Sequence, residues 1–253
     1  MKNKLKIVGL NFDISWKNKV RNFAQISDYL KDASADIFLL PEMFSTGFYM
    51  KPAEIADREE ETLQWMKNFA AERNTAVAGS ASVREDGQYY NRFYFVLPEG
   101  NYLHYDKRHL FSFSGEDKEY AAGRERTIVE YKGWRILLQV CYDLRFPVFS
   151  RNKEDYDAIL YVANWPGSRI DAWNTLLKAR AIENQACVFG LNRIGTDGDN
   201  LHYPESSVCF FADGSIISKT DENLVSAELS GEKLTEFRRK FRFLQDRDDF
   251  EMR

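Results

Sequence analysis

Trp134-Arg-Ile-Leu-Leu-Gln-Val-Cys-Tyr-Asp-Leu-Arg-Phe-Pro147 is the stretch from which the fold of this chain can be read. From Ile136 to Val140 it is short, nearly all aliphatic and preceded by Lys132-Gly133, the pattern of a buried strand. It ends in Cys141. Residues 146–151 then read as the first turns of a helix, with Pro147 near its start, where a missing N–H costs nothing. A cysteine at such a turn stands at the strand's carboxyl end. Free backbone N–H groups and the positive helix end there favour a thiolate and a developing oxyanion. A free cysteine more often simply completes an apolar strand, so the rest of the chain has to decide between the two roles.

Composition narrows the classes. The 253 residues suffice for a substantial core, in one large domain or two. With 35 basic against 39 acidic residues and no long basic run, the footprint of a nucleic-acid binder is missing. The apolar run near the N-terminus is too short for a signal peptide, and nothing approaches a membrane span. Cysteines 141, 187 and 209 are an odd set without a secretion signal, which argues against disulfides. The expectation is a soluble, cytoplasmic protein.

Outward from the central stretch, apolar runs at residues 5–11, 36–41, 158–163, 187–194 and 207–211 read as strands. Two more flank the Asp86-Gly87 turn, and another follows the turn at residues 98–101 and reaches Tyr105. Ser15 is the expected N-cap of a helix with Trp16, Val20, Phe23, Ile26 and Leu30 inward. Further helices are expected over residues 59–73, 170–185 and 232–242. Residues 43–58 read as a loop over a cleft, and residues 112–126 as a long irregular segment of the kind that usually carries function. Strands and helices alternate at both ends of the chain and no linker divides it. One α/β domain results.

Glu42, Lys107 and Cys141 each follow a strand-like run, so each belongs at a sheet edge, where ligands of α/β proteins collect. Their chemistry is complementary. A glutamate can take the thiol proton and later return it to a leaving amine. A lysine, with the backbone N–H of Tyr142, can stabilise the oxyanion of a tetrahedral intermediate. Taken singly, Lys107 would read as a surface residue and Glu42 as a loop cap.

Three segments together carry a resemblance: Leu40-Pro-Glu42, Tyr105-Asp-Lys107 with Arg108-His-Leu-Phe111, and Leu138-Gln-Val-Cys141-Tyr-Asp-Leu-Arg145. In order, spacing and flanking residues they resemble the signature segments of the nitrilase superfamily, carbon–nitrogen hydrolases with a Glu-Lys-Cys triad. Pro41-Glu-Met-Phe-Ser-Thr-Gly-Phe48, Asn164-Trp-Pro166 and Lys178-Ala-Arg-Ala-Ile-Glu-Asn-Gln185 resemble its omega-amidase branch. The resemblance implies an αββα sandwich formed as a single domain over residues 1–253. It also implies a homodimer built through helices after Cys141 and after Asn164-Trp-Pro166, with the helix and tail of about residues 232–253 near the interface. A second glutamate between lysine and cysteine is implied as well; Glu116 matches it by position, with Glu119 the runner-up.

The implied reaction is hydrolysis of the terminal carboxamide of a small 2-oxo acid, 2-oxoglutaramate or 2-oxosuccinamate, through a thioester on Cys141. Deaminated glutathione or a carbamoyl amine are alternative substrates on the same fold, and a non-catalytic scaffold is the alternative of another class. No metal, organic cofactor, nucleic acid or membrane partner is called for, since no HExxH, CxxC, Walker or GxGxxG pattern occurs. Phe48, Asn164 and Trp165 are the expected pocket residues. Arg145 and Arg169 are the guanidiniums available for a substrate carboxylate, Arg169 being favoured, although Arg145 could instead pair with Asp143. His109 lies near a triad segment and is the weaker candidate base. Cys187 and Cys209 belong to the core. Trp165, Ile170, Trp173 and residues 146–149 form an apolar set expected at the two-fold interface.

Overall fold

The structure, a computed structural model, describes residues 4–251; residues 1–3 and 252–253 of the expected domain lie outside the described residues. The first half runs β1 (Lys4–Leu10), α1 (Lys19–Leu30), β2 (Ile37–Leu39), α2 (Pro52–Ile55), α3 (Glu61–Arg73), β3 (Ala76–Glu85), β4 (Gln88–Val96), β5 (Tyr102–Asp106) and α4 (Glu116–Glu119). The second runs β6 (Ile128–Tyr131), β7 (Trp134–Val140), α5 (Pro147–Ser150), β8 (Ala158–Ala163), α6 (Ile170–Asn184), β9 (Cys187–Asn192), β10 (Gly195–Thr196), β11 (His202–Tyr203), β12 (Val208–Phe210), β13 (Ser218–Asp221), β14 (Leu224–Ser230) and α7 (Gly231–Lys240).

Two large sheets form, a seven-stranded one in the order β13-β14-β1-β2-β3-β4-β5 and a five-stranded one in the order β12-β9-β8-β7-β6, beside a two-stranded pair, β10-β11. Side-chain alternation explains how they stack. In β1, Leu5 and Ile7 face the second sheet, whereas Val8 and Leu10 face α1 and α3. In β8, Ala158, Leu160 and Val162 enter the inter-sheet core, whereas Ile159, Tyr161 and Ala163 pack with Trp173, Leu177 and Ala181 of α6. Strands apolar on both faces need a layer on each side, so the result is helix, sheet, sheet, helix. The sheets come so close at Gly9 that a Cβ there would meet Leu191 Cδ1 at 2.7 Å. Among the described residues no helix is long and apolar enough to cross a membrane.

Several local expectations change. Asn18, not Ser15, caps α1, accepting from the Arg21 N–H at 3.1 Å. Trp16 therefore precedes that helix, Val20 is exposed, and the inward place falls to Asn22, whose amide bonds the carbonyls of Ser15 and Ser45. The loop over 43–58 contains α2, and the irregular segment over 112–126 contains a 3-10 turn (Ser112–Ser114) and α4. Strands β6, β10, β11, β13 and β14 lie outside the expected set. Trp165, Trp173 and Phe149 are at most 3 % exposed, so they fill the subunit's own core and cannot form a contact patch; Val148 is the exposed member of its segment.

Candidate active site

Parallel strands of both sheets aim their carboxyl ends at one place. Leu40 and Pro41 carry the chain from β2 to Glu42; Lys107 directly follows β5, Cys141 follows β7 and Asn164 follows β8. Cys141 itself has φ +45°, a left-handed conformation that costs a non-glycine residue about 1 kcal/mol or more. Asp143 holds this turn. Its Oδ2 accepts from the Val140 N–H at 2.9 Å and the Tyr105 hydroxyl at 2.8 Å, and its Oδ1 from the His109 N–H at 3.0 Å. The His109 ring meets the same Oδ1 at 2.7 Å and stacks on Phe146. Asp143 is thus paired with Tyr105 and His109, not with Arg145, and His109 serves the turn rather than the thiol.

Behind the thiol lies a buried charge cluster. The side chains of Glu42, Lys107 and Glu116 are all fully buried. Lys107 Nζ donates to Glu42 Oε1 at 2.9 Å and to both Glu116 oxygens at 3.0 and 2.8 Å. Glu42 Oε2 accepts from the Asn164 backbone N–H at 2.8 Å, and Asn164 Nδ2 reaches back to the Glu42 carbonyl at 2.6 Å. Glu116 Oε2 accepts from the Phe111 N–H at 2.6 Å, which pins the start of α4 to the site. Glu119, on the same short helix, is exposed to solvent.

Electrostatics follow from burial and these partners. Burial alone would lower the Lys107 ammonium, but the carboxylates of Glu116 and Glu42 more than offset it, and the net shift is upward. Burial raises the Glu116 carboxyl, partly against the pull of Lys107. For Cys141, burial pushes the thiol well up and the Glu42 charge pushes it further, with Lys107 opposing. The expected helix-favoured thiolate is therefore corrected: α5 has only four residues, and burial, with the nearby carboxylates behind it, outweighs it. Cys141 rests as a thiol, and something must remove its proton during attack.

Phe48, Lys107, Cys141, Tyr142, Arg145, Asn164, Trp165 and Arg169 all line one cavity of about 350 Å³. Tyr142 sits in the first turn of the 3-10 segment Cys141–Arg145, where helical backbone offers its N–H no acceptor. The Arg145 guanidinium lies 5.0 Å over the Trp165 ring and that of Arg169 5.0 Å over Phe111. Neither has a carboxylate partner among the described residues. Met50, Phe111, Asp197, Asp199, Leu201 and Tyr203 are further wall residues that the sequence did not single out. Nor did it single out Asn91, whose Nδ2 bonds both Glu42 and Glu116; an asparagine within an aromatic strand gives no signal of that role in sequence. Among the described residues no cluster of three His, Cys, Asp or Glu side chains could hold a metal ion.

Comparison with known proteins agrees over nearly the whole chain. Residues 7–239 match the family model described as carbon-nitrogen hydrolase. The omega-amidase YafV of Yersinia enterocolitica is 45 % identical, over 97 % of this chain and 98 % of that protein. A 2-oxoglutaramate amidase of Bacillus subtilis (strain 168) is 33 % identical, over 94 % and 95 %. Among solved structures, a CN-hydrolase superfamily protein from Xanthomonas campestris, with an arsenic adduct in its active site, superposes with a TM-score of 0.95 at 40 % identity, covering 99 % of each chain.

Proposed function

Since the chain belongs to the carbon-nitrogen hydrolase family, we propose that it is an omega-amidase. Its substrate is a short 2-oxo acid with a terminal carboxamide, 2-oxoglutaramate or 2-oxosuccinamate, cleaved to the acid and ammonia. The observation that carries the substrate reading is the pair of guanidiniums, Arg145 and Arg169, that line the cavity with Cys141 and have no carboxylate partner among the described residues. Both arginines are half-buried, and a cation partly withdrawn from water without a partner suits a ligand that brings one. The relatives' names point to the same class.

In this reading Glu42 takes the Cys141 proton as the sulfur attacks the carboxamide carbon. The oxyanion is held by Lys107 and the Tyr142 N–H. Glu42 then protonates the departing ammonia, leaves a thioester on Cys141, and activates water to release the acid. Three carboxylate contacts occupy Lys107 at rest, so an oxyanion must displace one. Protonation of Glu42 removes its negative charge, and its hold on Lys107 weakens just as the oxyanion forms. Glu116 keeps the ammonium in place throughout.

A screen of kcat/KM on small amides tests the assignment. Better turnover of uncharged amides or carbamoyl amines than of oxo-acid amides would reject it. Arg169→Met is expected to lower kcat/KM for the oxo-acid amide by roughly 10- to 100-fold, the worth of a charge-assisted contact, and that for a neutral amide of similar length only a few-fold. Equal losses on both would make Arg169 structural.

A homodimer fits three of the exposed apolar groups. Val148 after the nucleophile, Ile182 on α6 and Phe243 beyond α7 are 54 %, 47 % and 61 % exposed. Two of them lie on the helices implicated by the family resemblance, and the third lies in the tail over residues 232–253. Sedimentation at micromolar concentration should give a dimer, and Ile182→Glu should shift it toward monomer; a monomeric intact protein would count against the assembly.

A further inference from the structure

Asn91 touches both buried carboxylates without adding a charge. Its Nδ2 donates to Glu42 Oε1 at 2.8 Å and to Glu116 Oε1 at 3.2 Å. Those same two oxygens accept from Lys107 Nζ at 2.9 and 3.0 Å. Two carboxylate oxygens that share two donors lie side by side, which is the geometry in which a carboxylate pair traps a proton once donors are withdrawn. Lys107 is the one ammonium facing two carboxylates, so charge alone does not balance the site. The other titratable groups that face it, Cys141 and the Tyr120 hydroxyl, are neutral at rest; burial raises both.

An amide could present either end to the pair, and here the choice is fixed. Ser80 Oγ accepts the Met43 N–H at 3.0 Å and donates its own proton to Asn91 Oδ1 at 2.8 Å. That leaves only the NH₂ end for the carboxylates. Ser80 on β3 and Asn91 on β4 thus link the backbone just after Glu42 to the Glu42 carboxylate.

We propose that Asn91, oriented by Ser80, is a positioning residue of the amidase site, giving one N–H to each carboxylate so that no proton settles between them and Glu42 stays free to accept the Cys141 proton. The inference rests on the reading of Cys141 as nucleophile and Glu42 as its base. A cation in place of the amide would give the site a second positive charge and weaken Glu42 as a base. A group with no donors would let the pair hold a proton.

The test is the pH dependence of Cys141 alkylation by iodoacetamide, followed beside that of ammonia release, in the intact enzyme and in Asn91→Ala, Asn91→Asp and Ser80→Ala. A pair that binds a proton more tightly needs a higher pH to lose it, so the acid limb must move up. For Asn91→Ala the expected shift is about one to two pH units, the worth of one hydrogen bond to a charged group. Asn91→Asp keeps the outline, loses the donors and adds a carboxylate, and should shift further. Ser80→Ala frees the amide to turn, though it also takes the acceptor from the buried Met43 N–H, and should shift the limb the same way by less. A limb that stays in place while only the plateau falls would overturn the proposal. Its failure is distinct from failure of the underlying reading, which would show as amide turnover surviving in Cys141→Ala.

Discussion

Cys141→Ala is expected to reduce ammonia release by about 10⁴-fold or more, because the acyl intermediate has no other site to form. The fold should persist. The substitution deletes one sulfur atom, which meets the Asn164 carbonyl at 4.0 Å, and leaves the left-handed turn with the same Cβ it already tolerates. A melting temperature within a few degrees of the parent, with amide turnover gone, is the expected pair of results. Full activity would remove the nucleophile assignment and everything built on it. Removing the thiol also removes a group that burial and Glu42 hold in its neutral form, so the variant keeps its charge cluster intact and is the right background for measuring substrate binding without turnover.

Lys107→Met carries the second large effect, on stability as well as catalysis. The ammonium compensates two carboxylates that are fully buried, and breaking a buried ion pair from one side costs about 3–5 kcal/mol at neutral pH. The variant should escape part of that cost by protonating the pair. Its carboxyls would then bind a proton more tightly folded than unfolded, so their contribution is fully present below the unfolded-state range and lost as pH rises. Urea unfolding should show a large deficit against the parent at pH 7 and a smaller one at pH 5. Activity should be lost at both, since the oxyanion has lost its cation. A variant as stable as the parent at pH 7, or a deficit indifferent to pH, would mean the cluster is not charged as its contacts imply.

What could be read from sequence was what a strand announces about itself. The apolar runs into Glu42, Cys141 and Asn164 are buried on both faces, so their boundaries, and the residues delivered at their ends, stood out. β13 could not be read in this way. Its Ser218-Lys-Thr-Asp221 is polar and exposed, and its strand character comes from pairing with β14. β14 and β6 are short or only half buried, and they become strands through their partners, β1 and β7. The first helix misled for a related reason. Periodicity favoured Val20 as an inward residue, but two backbone carbonyls were waiting for a donor and Asn22 supplies it. Buried polar places are decided by unpaired groups elsewhere in the chain, which no local pattern records. Asn91 and Ser80 escaped notice for the same reason. Trp165 and Trp173 read as sticky surface because their weight is apolar, when the space between α6 and the second sheet had already claimed them.

The position of β14 has a consequence for how the molecule is made. β1 is paired residue for residue with β14, from Lys4↔Ser230 to Leu10↔Leu224, and only its other edge meets β2. During synthesis β1 has to wait for β14, which is made after every other described strand. Until then one row of its backbone N–H and C=O groups, on a strand whose side chains are largely apolar, stands open to any passing strand. The first sheet cannot close early, and the native contact that closes it spans almost the whole chain, which slows folding and lengthens the period of exposure to chaperones or to wrong partners. For this protein, keeping a nascent chain from premature pairing matters more than helping any one half to fold first.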